Sequence, residues 1–165
     1  MSDATLETTQ CLTFKLEDEI FALDISKVRE VLDFTATTKV PGMPDFMRGV
    51  INLRGSVVPV VDLRLKFKMS RTEQTVNTCV IITEVTVDNQ TTLLGMLADS
   101  VQEVIDLEPS HIECAPRIGT RLNTAFISGM GKRGNSFIIM LDIDKVFSTE
   151  ELVQVTETNE MQVDV

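Results

Sequence analysis

The chain has 165 residues, 43% of them hydrophobic, and a formal net charge of −10. That length suits one ordinary domain or two very small ones, and the apolar content supports a packed core. The acidic balance disfavours nucleic acid, whose phosphates require clustered Lys and Arg, and disfavours direct docking on an anionic membrane.

Trp and Tyr are absent, so the core must be aliphatic with some Phe, and abundant Val and Ile favour strands. No run approaches the roughly 20 apolar residues of a membrane span. Residues 1–10 are polar, lack the apolar stretch of a signal peptide, and are expected to be disordered, which makes a cytoplasmic protein the expectation. Cys11, Cys79 and Cys114 are odd in number and far apart, with neither metal spacing nor a disulfide framework.

Cys11 to Asp24 reads as a hairpin turning at Glu17-Asp18-Glu19. Ser26 is placed to cap a short helical turn through Lys27-Val28-Arg29-Glu30, with Val31 to Phe34 extended after it. Pro41-Gly42-Met43-Pro44 is a loop. Phe46 to Phe67 holds two apolar runs around Asn52-Leu53-Arg54-Gly55 and predicts a central hairpin. Lys66 to Asn77 is a polar boundary. Thr78 to Val87 and Thr91 to Leu97 predict a second β-hairpin, followed by an extended Val101 to Leu107. A long loop spans Pro109 to Asn123. Thr124 to Met130 and Ser136 to Leu141 predict another hairpin, turning through Gly131 to Asn135. Thr149 to Leu152 starts a small C-terminal helix, and residues 154–165 form a flexible tail.

An internal repeat emerges from this pass. Val28, Glu30, Val31 and Asp33 match Val101, Glu103, Val104 and Asp106 without a gap. Phe46 to Phe67 aligns gaplessly with Phe126 to Phe147, so that Phe46, Gly49, Ser56, Asp62 and Phe67 recur as Phe126, Gly129, Ser136, Asp142 and Phe147. One unit of about five strands therefore occurs twice. Short strands with tight turns imply barrels, which remove the exposed edges of an open sheet.

Catalytic devices find little support. Gly129-Met130-Gly131-Lys132-Arg133-Gly134 matches G-x-G-x-x-G, but a nucleotide site needs a helix next and Ser136 to Leu141 is strand-like. His111 is the only histidine and has no evident orienting partner. No His or Cys cluster offers convergent metal ligands. Arg54 stands apart, because the second copy carries Gly134 in its place and the fold thus has no need of an Arg there. Glu30 is the expected partner of Arg54.

The stretch Gly49-Val50-Ile51-Asn52-Leu53-Arg54-Gly55-Ser56-Val57-Val58-Pro59-Val60-Val61-Asp62-Leu63-Arg64 resembles the signature of the CheW family of chemotaxis coupling proteins. Phe21 to Val31 and Ala98 to Val104 fit the same family, and the resemblance runs from about Cys11 to Leu152. It implies a mainly β fold of two SH3-like five-stranded β-barrels around a shared apolar core. The corresponding division is a CheW-like domain over 11–153, with subdomains at about 11–68 and 77–147 that can exchange strands. It also implies a non-enzymatic scaffold without cofactors, in the cytoplasm and recruited to membrane-anchored receptor arrays. Its partners would be the cytoplasmic tips of methyl-accepting chemoreceptors and the regulatory domain of the chemotaxis histidine kinase. Val28, Gly49, Arg54 and Val104 correspond to receptor-binding positions, with Glu30 supporting the turn Arg. Val31, Thr37, Val40, Arg117 and Ile118 correspond to the kinase-facing surface, where Thr37 and Arg117 depart from the expected residue types. Two rivals are a coupling domain of the receiver-carrying adaptor type and a small ligand-binding barrel using the Gly-rich turn.

Overall fold

A computed structural model describes residues 8–34, 36–87, 89–114, 126–147 and 151. The chain opens with an antiparallel hairpin, β1 (Thr9–Leu16) and β2 (Glu19–Asp24), so Thr9 and Gln10 are strand rather than tail. Asp24 accepts a hydrogen bond from Ser26 N–H and closes a single 3-10 turn, Ile25–Lys27. β3 (Val28–Asp33) begins at once. The helical turn expected at Val28-Arg29-Glu30 does not form. Extended backbone there pairs with β6 (Cys79–Val87), and alternation turns Leu32 onto an apolar cluster behind the sheet.

The central hairpin is β4 (Met47–Leu53) and β5 (Ser56–Asp62). Pro59 is tolerated inside β5 because the third strand of this neighbourhood, β7 (Gln90–Ala98), pairs with β5 only from Val60 onward. Asp62 caps a short helix, α1 (Leu63–Lys66), by accepting from Arg64 and Leu65 N–H. β8 (Ser100–Leu107) follows β7 and leads to a 3-10 turn at Pro109–His111 and a two-residue strand, β9 (Ile112–Glu113). β10 (Ile127–Arg133), β11 (Ser136–Leu141) and α2 (Ile143–Val146) complete the described elements. β10 absorbs Gly131, Lys132 and Arg133, which the sequence assigned to the turn, and leaves only Gly134-Asn135 as loop. Gly131 lies under the Leu107 side chain, where an added Cβ would sit 2.9 Å from a methyl carbon. The expected C-terminal helix lies outside the described residues except for Glu151, as do residues 1–7 and 154–165.

The strands form two sheets, ordered β8-β1-β2-β11-β10-β9 and β3-β6-β7-β5-β4. Each takes a hairpin from one repeat and the remaining strands from the other. The seams are parallel pairings, Phe21 to Leu23 beside Ile139 to Leu141 and Gly95 to Leu97 beside Val60 to Asp62. The sheets correspond strand for strand, and a bridge between Thr38 and Val50 stands where β9 stands in the other sheet. The first sheet thus has six strands, one more than the expected five, through the two residues of β9.

Three apolar clusters result. Val58, Val60, Val80, Ile82 and Leu97 fill the inside of one sheet, and Cys11, Ala22, Leu107, Ile138 and Met140 fill the other. The largest lies between the sheets and includes Phe14, Leu16, Phe21, Leu63, Ile81, Met96 and Phe147. Phe14, Phe21, Phe67 and Phe126 stack in sequence across it, with centroids 4.8–6.0 Å apart. The shared core holds the two sheets in one geometry.

Candidate functional site

The turn between β4 and β5 has two residues, Arg54 and Gly55, with φ of +51° and +87°. Two positive φ values match the strand twist of a tight hairpin, and Asn52 Oδ1 accepts from Gly55 N–H to fix the bend. A non-glycine residue in this region costs roughly 1–2 kcal/mol of backbone free energy. The repeat has Gly134 at the equivalent position, with φ of +61°. Arg54 therefore occupies a glycine-type position at a cost that local folding does not require.

Its side chain is held. Arg54 Nη1 and Nη2 donate to Glu30 Oε2 and Oε1 at 2.6 and 3.0 Å, a bidentate pair with β3. The Arg54 side chain is 73% exposed and that of Glu30 is 27% exposed. The hydrogen bond from Arg54 holds the Glu30 carboxyl below its usual range, against a smaller opposing effect of burial. The same bond raises the Arg54 guanidinium. A planar cation is thereby fixed in orientation with one face toward solvent. Next to it a shallow cleft of about 440 Å³ is lined by Arg29, Ser56, Val57, Glu84 and Leu93. Arg29 and Glu84 pair at 3.1 Å along it.

The other expected site residues distribute around this turn. Gly49 is buried on β4 with φ of +142°, and an added Cβ would run into the Thr38 carbonyl and lie 3.1 Å from Thr37 Cβ. It admits the 37–38 segment against β4, where Thr38 bridges Val50 and Thr37 Oγ1 donates to the Arg48 carbonyl. Gly49 thus joins Thr37 structurally and presents no surface of its own. Val28 opens β3 and packs on the shared core. Val31 is 38% and Val104 47% exposed. Val104 lies on the other sheet, opposite Leu12 of the shared core. Val28 thus packs on the shared core from one sheet and Val104 stands exposed on the other, beside a strand of that core, while Val40 lines a separate cleft with Met43, Met47 and Leu65. Arg117 and Ile118 lie outside the described residues.

The sequence reading missed Arg133. Its Nη2 lies 3.3 Å from Glu103 Oε2, and Glu103 is the repeat equivalent of Glu30. The second half thus keeps an Arg–Glu link with the Arg moved one residue back, off the positive-φ position. Glu103 aligned with Glu30 was the available signal, but the gapless alignment drew attention to Gly134 instead.

No described group of three or more His, Cys, Asp and Glu residues is arranged to hold a metal ion. Gly129 and Gly131 lie within β10, and a strand rather than a helix follows Gly134, so no helix N-terminus faces the Gly-rich turn. Burial raises Cys11 to about 11, with Asp24 and Asp106 adding to the effect, which removes a reactive thiolate near neutral pH.

The CheW-like domain family model matches residues 10–151. The chain belongs to the CheW-like family. It is 35% identical over 144 residues to a chemotaxis protein CheW of Klebsiella aerogenes, covering 87% of this chain and 84% of that one. A chemotaxis protein CheW of Rhizobium meliloti is 30% identical over 142 residues, with 86% and 89% covered. The crystal structure of a scaffolding protein from Thermoanaerobacter tengcongensis, TtCheW, superposes with a TM-score of 0.76 at 32% identity, covering 88% of this chain and 91% of that one. The two sheets are accordingly the two SH3-like barrels of a CheW-like fold, and membership makes the chain a non-enzymatic chemotaxis scaffold. No helix among the described residues is long and apolar enough to cross a membrane.

Proposed function

We propose that this CheW-like chain couples the cytoplasmic tips of transmembrane chemoreceptors to the regulatory domain of the chemotaxis histidine kinase. It does so from the cytoplasm, within a receptor array. The observation that carries this reading is Arg54, kept at a glycine-type position and locked to Glu30 with most of its side chain exposed. Backbone strain retained where folding does not need it is characteristic of a binding residue. Val28, Arg54 and Val104 form the receptor-facing set, and a helical tip lies along the border between the sheets in helix-in-groove fashion. Gly49 acts from beneath, by holding Thr37 and Thr38 on β4. Val31, Thr37 and Val40, together with Arg117 and Ile118, face the kinase.

Receptor state reaches the kinase through differential contacts, since a scaffold shifts an equilibrium only by binding one state better. The test is a reconstituted array of receptor, kinase and this chain. Receptor control of kinase activity should disappear when the chain is left out, and Arg54→Ala should lower receptor-tip binding about tenfold, the scale of an interface hot spot. Undiminished receptor control without the chain would overturn the coupling role. Unchanged tip affinity in Arg54→Ala would overturn the role of the turn.

A further inference from the structure

A second surface lies on the far side of β4 from the Arg54 turn. A cleft of about 240 Å³ has an apolar floor of Val40, Met43, Met47 and Leu65, with Lys39 and Arg71 at its rim. Asp45 and Arg48 also line it. Arg48 is committed to the buried Asp62 carboxylate and the Thr72 carbonyl. Among the described residues Lys39 and Arg71 have no ion-pair partner, and Asp45 is the only carboxylate in the lining. The rim is therefore cationic on a chain whose net charge is −10.

The nearest source of complementary charge is the chain itself. Glu151 is fixed beside this cleft, with both carboxylate oxygens accepting from Lys66 Nζ at 2.7 Å. Lys66 follows Leu65 of the floor directly, and its ammonium lies 5.5 Å from the centroid of Phe46, the neighbour of Asp45 and Met47. From Glu151 the sequence runs on through residues 152–165. That stretch carries Glu157, Glu160 and Asp164, no Lys or Arg, and the apolar residues Leu152, Val153, Val155, Met161, Val163 and Val165. Fourteen residues span up to about 46 Å when extended, ample to reach the cleft from its own border.

We propose that the acidic C-terminal segment 152–165 docks in cis on this cleft. Its apolar residues take the Val40, Met43, Met47 and Leu65 floor, and its carboxylates take Lys39 and Arg71. Tethering at Glu151 sets an effective concentration in the millimolar range, so weak contacts suffice for occupancy. Adaptable Met side chains on the floor suit a segment without one fixed register. The Val40 face is then covered by the chain's own segment, and an acidic partner sequence would enter only by displacing it.

The test compares amide shifts of three full-length chains: the native sequence, a tail variant with Glu157→Gln, Glu160→Gln and Asp164→Asn, and a rim variant with Lys39→Glu and Arg71→Glu. In the tail variant, the amides of Val40, Met43, Met47 and Leu65 should shift while distant core amides such as Leu141 stay fixed. In the rim variant, the amides of 152–165 should shift reciprocally. Raising salt from about 0.05 to 0.5 M should move the native chain toward the tail variant, since exposed charges are screened within a few ångströms at the higher salt. Tail neutralisation that leaves the cleft amides in place overturns the proposal. Cleft shifts that scale with protein concentration overturn the cis arrangement, because the segment would then be docking on a second copy.

Discussion

The hairpin turns of the two repeats, Arg54-Gly55 and Gly134-Asn135, occupy equivalent places and serve different ends. Each sends an Arg to the equivalent Glu of its barrel, Arg54 to Glu30 and Arg133 to Glu103. In the second turn the Arg sits on the strand, glycine takes the left-handed position, and a single contact at 3.3 Å joins two half-exposed side chains. In the first turn the Arg takes the left-handed position itself and makes two bonds, the shorter at 2.6 Å. The second arrangement serves folding without backbone strain. The first accepts strain and gains an oriented, exposed guanidinium. A duplicated fold thus provides its own control: whatever differs between equivalent positions is open to selection for binding.

The contrast extends beneath the turns, and the largest expected effect lies there. Asp62 and Asp142 are equivalent helix caps, but Asp62 is fully buried, pairs with Arg48 at 3.4 Å and accepts from Thr72 Oγ1 at 2.7 Å. Asp62→Ala leaves Arg48 unpaired and should cost about 3–5 kcal/mol in chemical denaturation. Asp142→Ala removes a cap, accepting from Asp144 N–H, and a long exposed contact with Lys145 at 3.8 Å, and should cost about 1 kcal/mol. Equal losses would mean that the two hairpins are anchored alike.

Gly49 and Gly129 sharpen the same comparison. Gly49→Ala meets backbone and takes an unfavourable φ, so it should destabilise by more than about 1 kcal/mol and loosen the 37–40 segment in hydrogen exchange. Gly129→Ala meets chiefly one methyl of Ile112, 2.8 Å away, and should cost less.

At the turns, Arg54→Gly copies the second repeat. It should leave the unfolding midpoint unchanged or raise it by relieving the left-handed position, while lowering receptor-tip affinity. Loss of midpoint together with unchanged affinity would make Arg54 a structural residue. The smallest effect is protonic. The Glu30 carboxyl should titrate below the ordinary value of about 4.3 and return toward it in Arg54→Ala, as followed by side-chain carbonyl resonances. Because the folded value is the depressed one, the link contributes stability above the unfolded value and loses it as pH falls through the folded value.

Much of this was legible from residues. Alternating apolar runs marked the hairpins, the repeat marked the duplication, and Glu30 was named as the partner of Arg54. What escaped depends on distance along the chain. Val28-Arg29-Glu30 reads locally as a helical turn after Ser26, and only pairing with β6 makes it strand. Gly131 and Arg133 read as turn residues, and only their pairing with Ile138 and Ser136 of β11 makes them strand. Asp62 reads only as a repeat position matched by Asp142, because Arg48 and Thr72 converge on it from separate segments. Period and composition report on neighbours in sequence, and these features are made by neighbours in space.

The parallel seam between β2 and β11 bears on how the molecule is made. Phe21 pairs beside Ile139, so a hairpin waits for a strand that is synthesised much later. At about 5–20 residues per second that interval is on the order of ten seconds. The inner face of the first hairpin, with Phe14, Leu16 and Phe21, also shares its core with Ile81, Val85 and Met96, which belong to the second half of the chain. The nascent chain thus has no self-sufficient first half to fold on the ribosome. Separate expression of residues 1–68 should yield an aggregating fragment, while co-expression with the remainder should recover the fold.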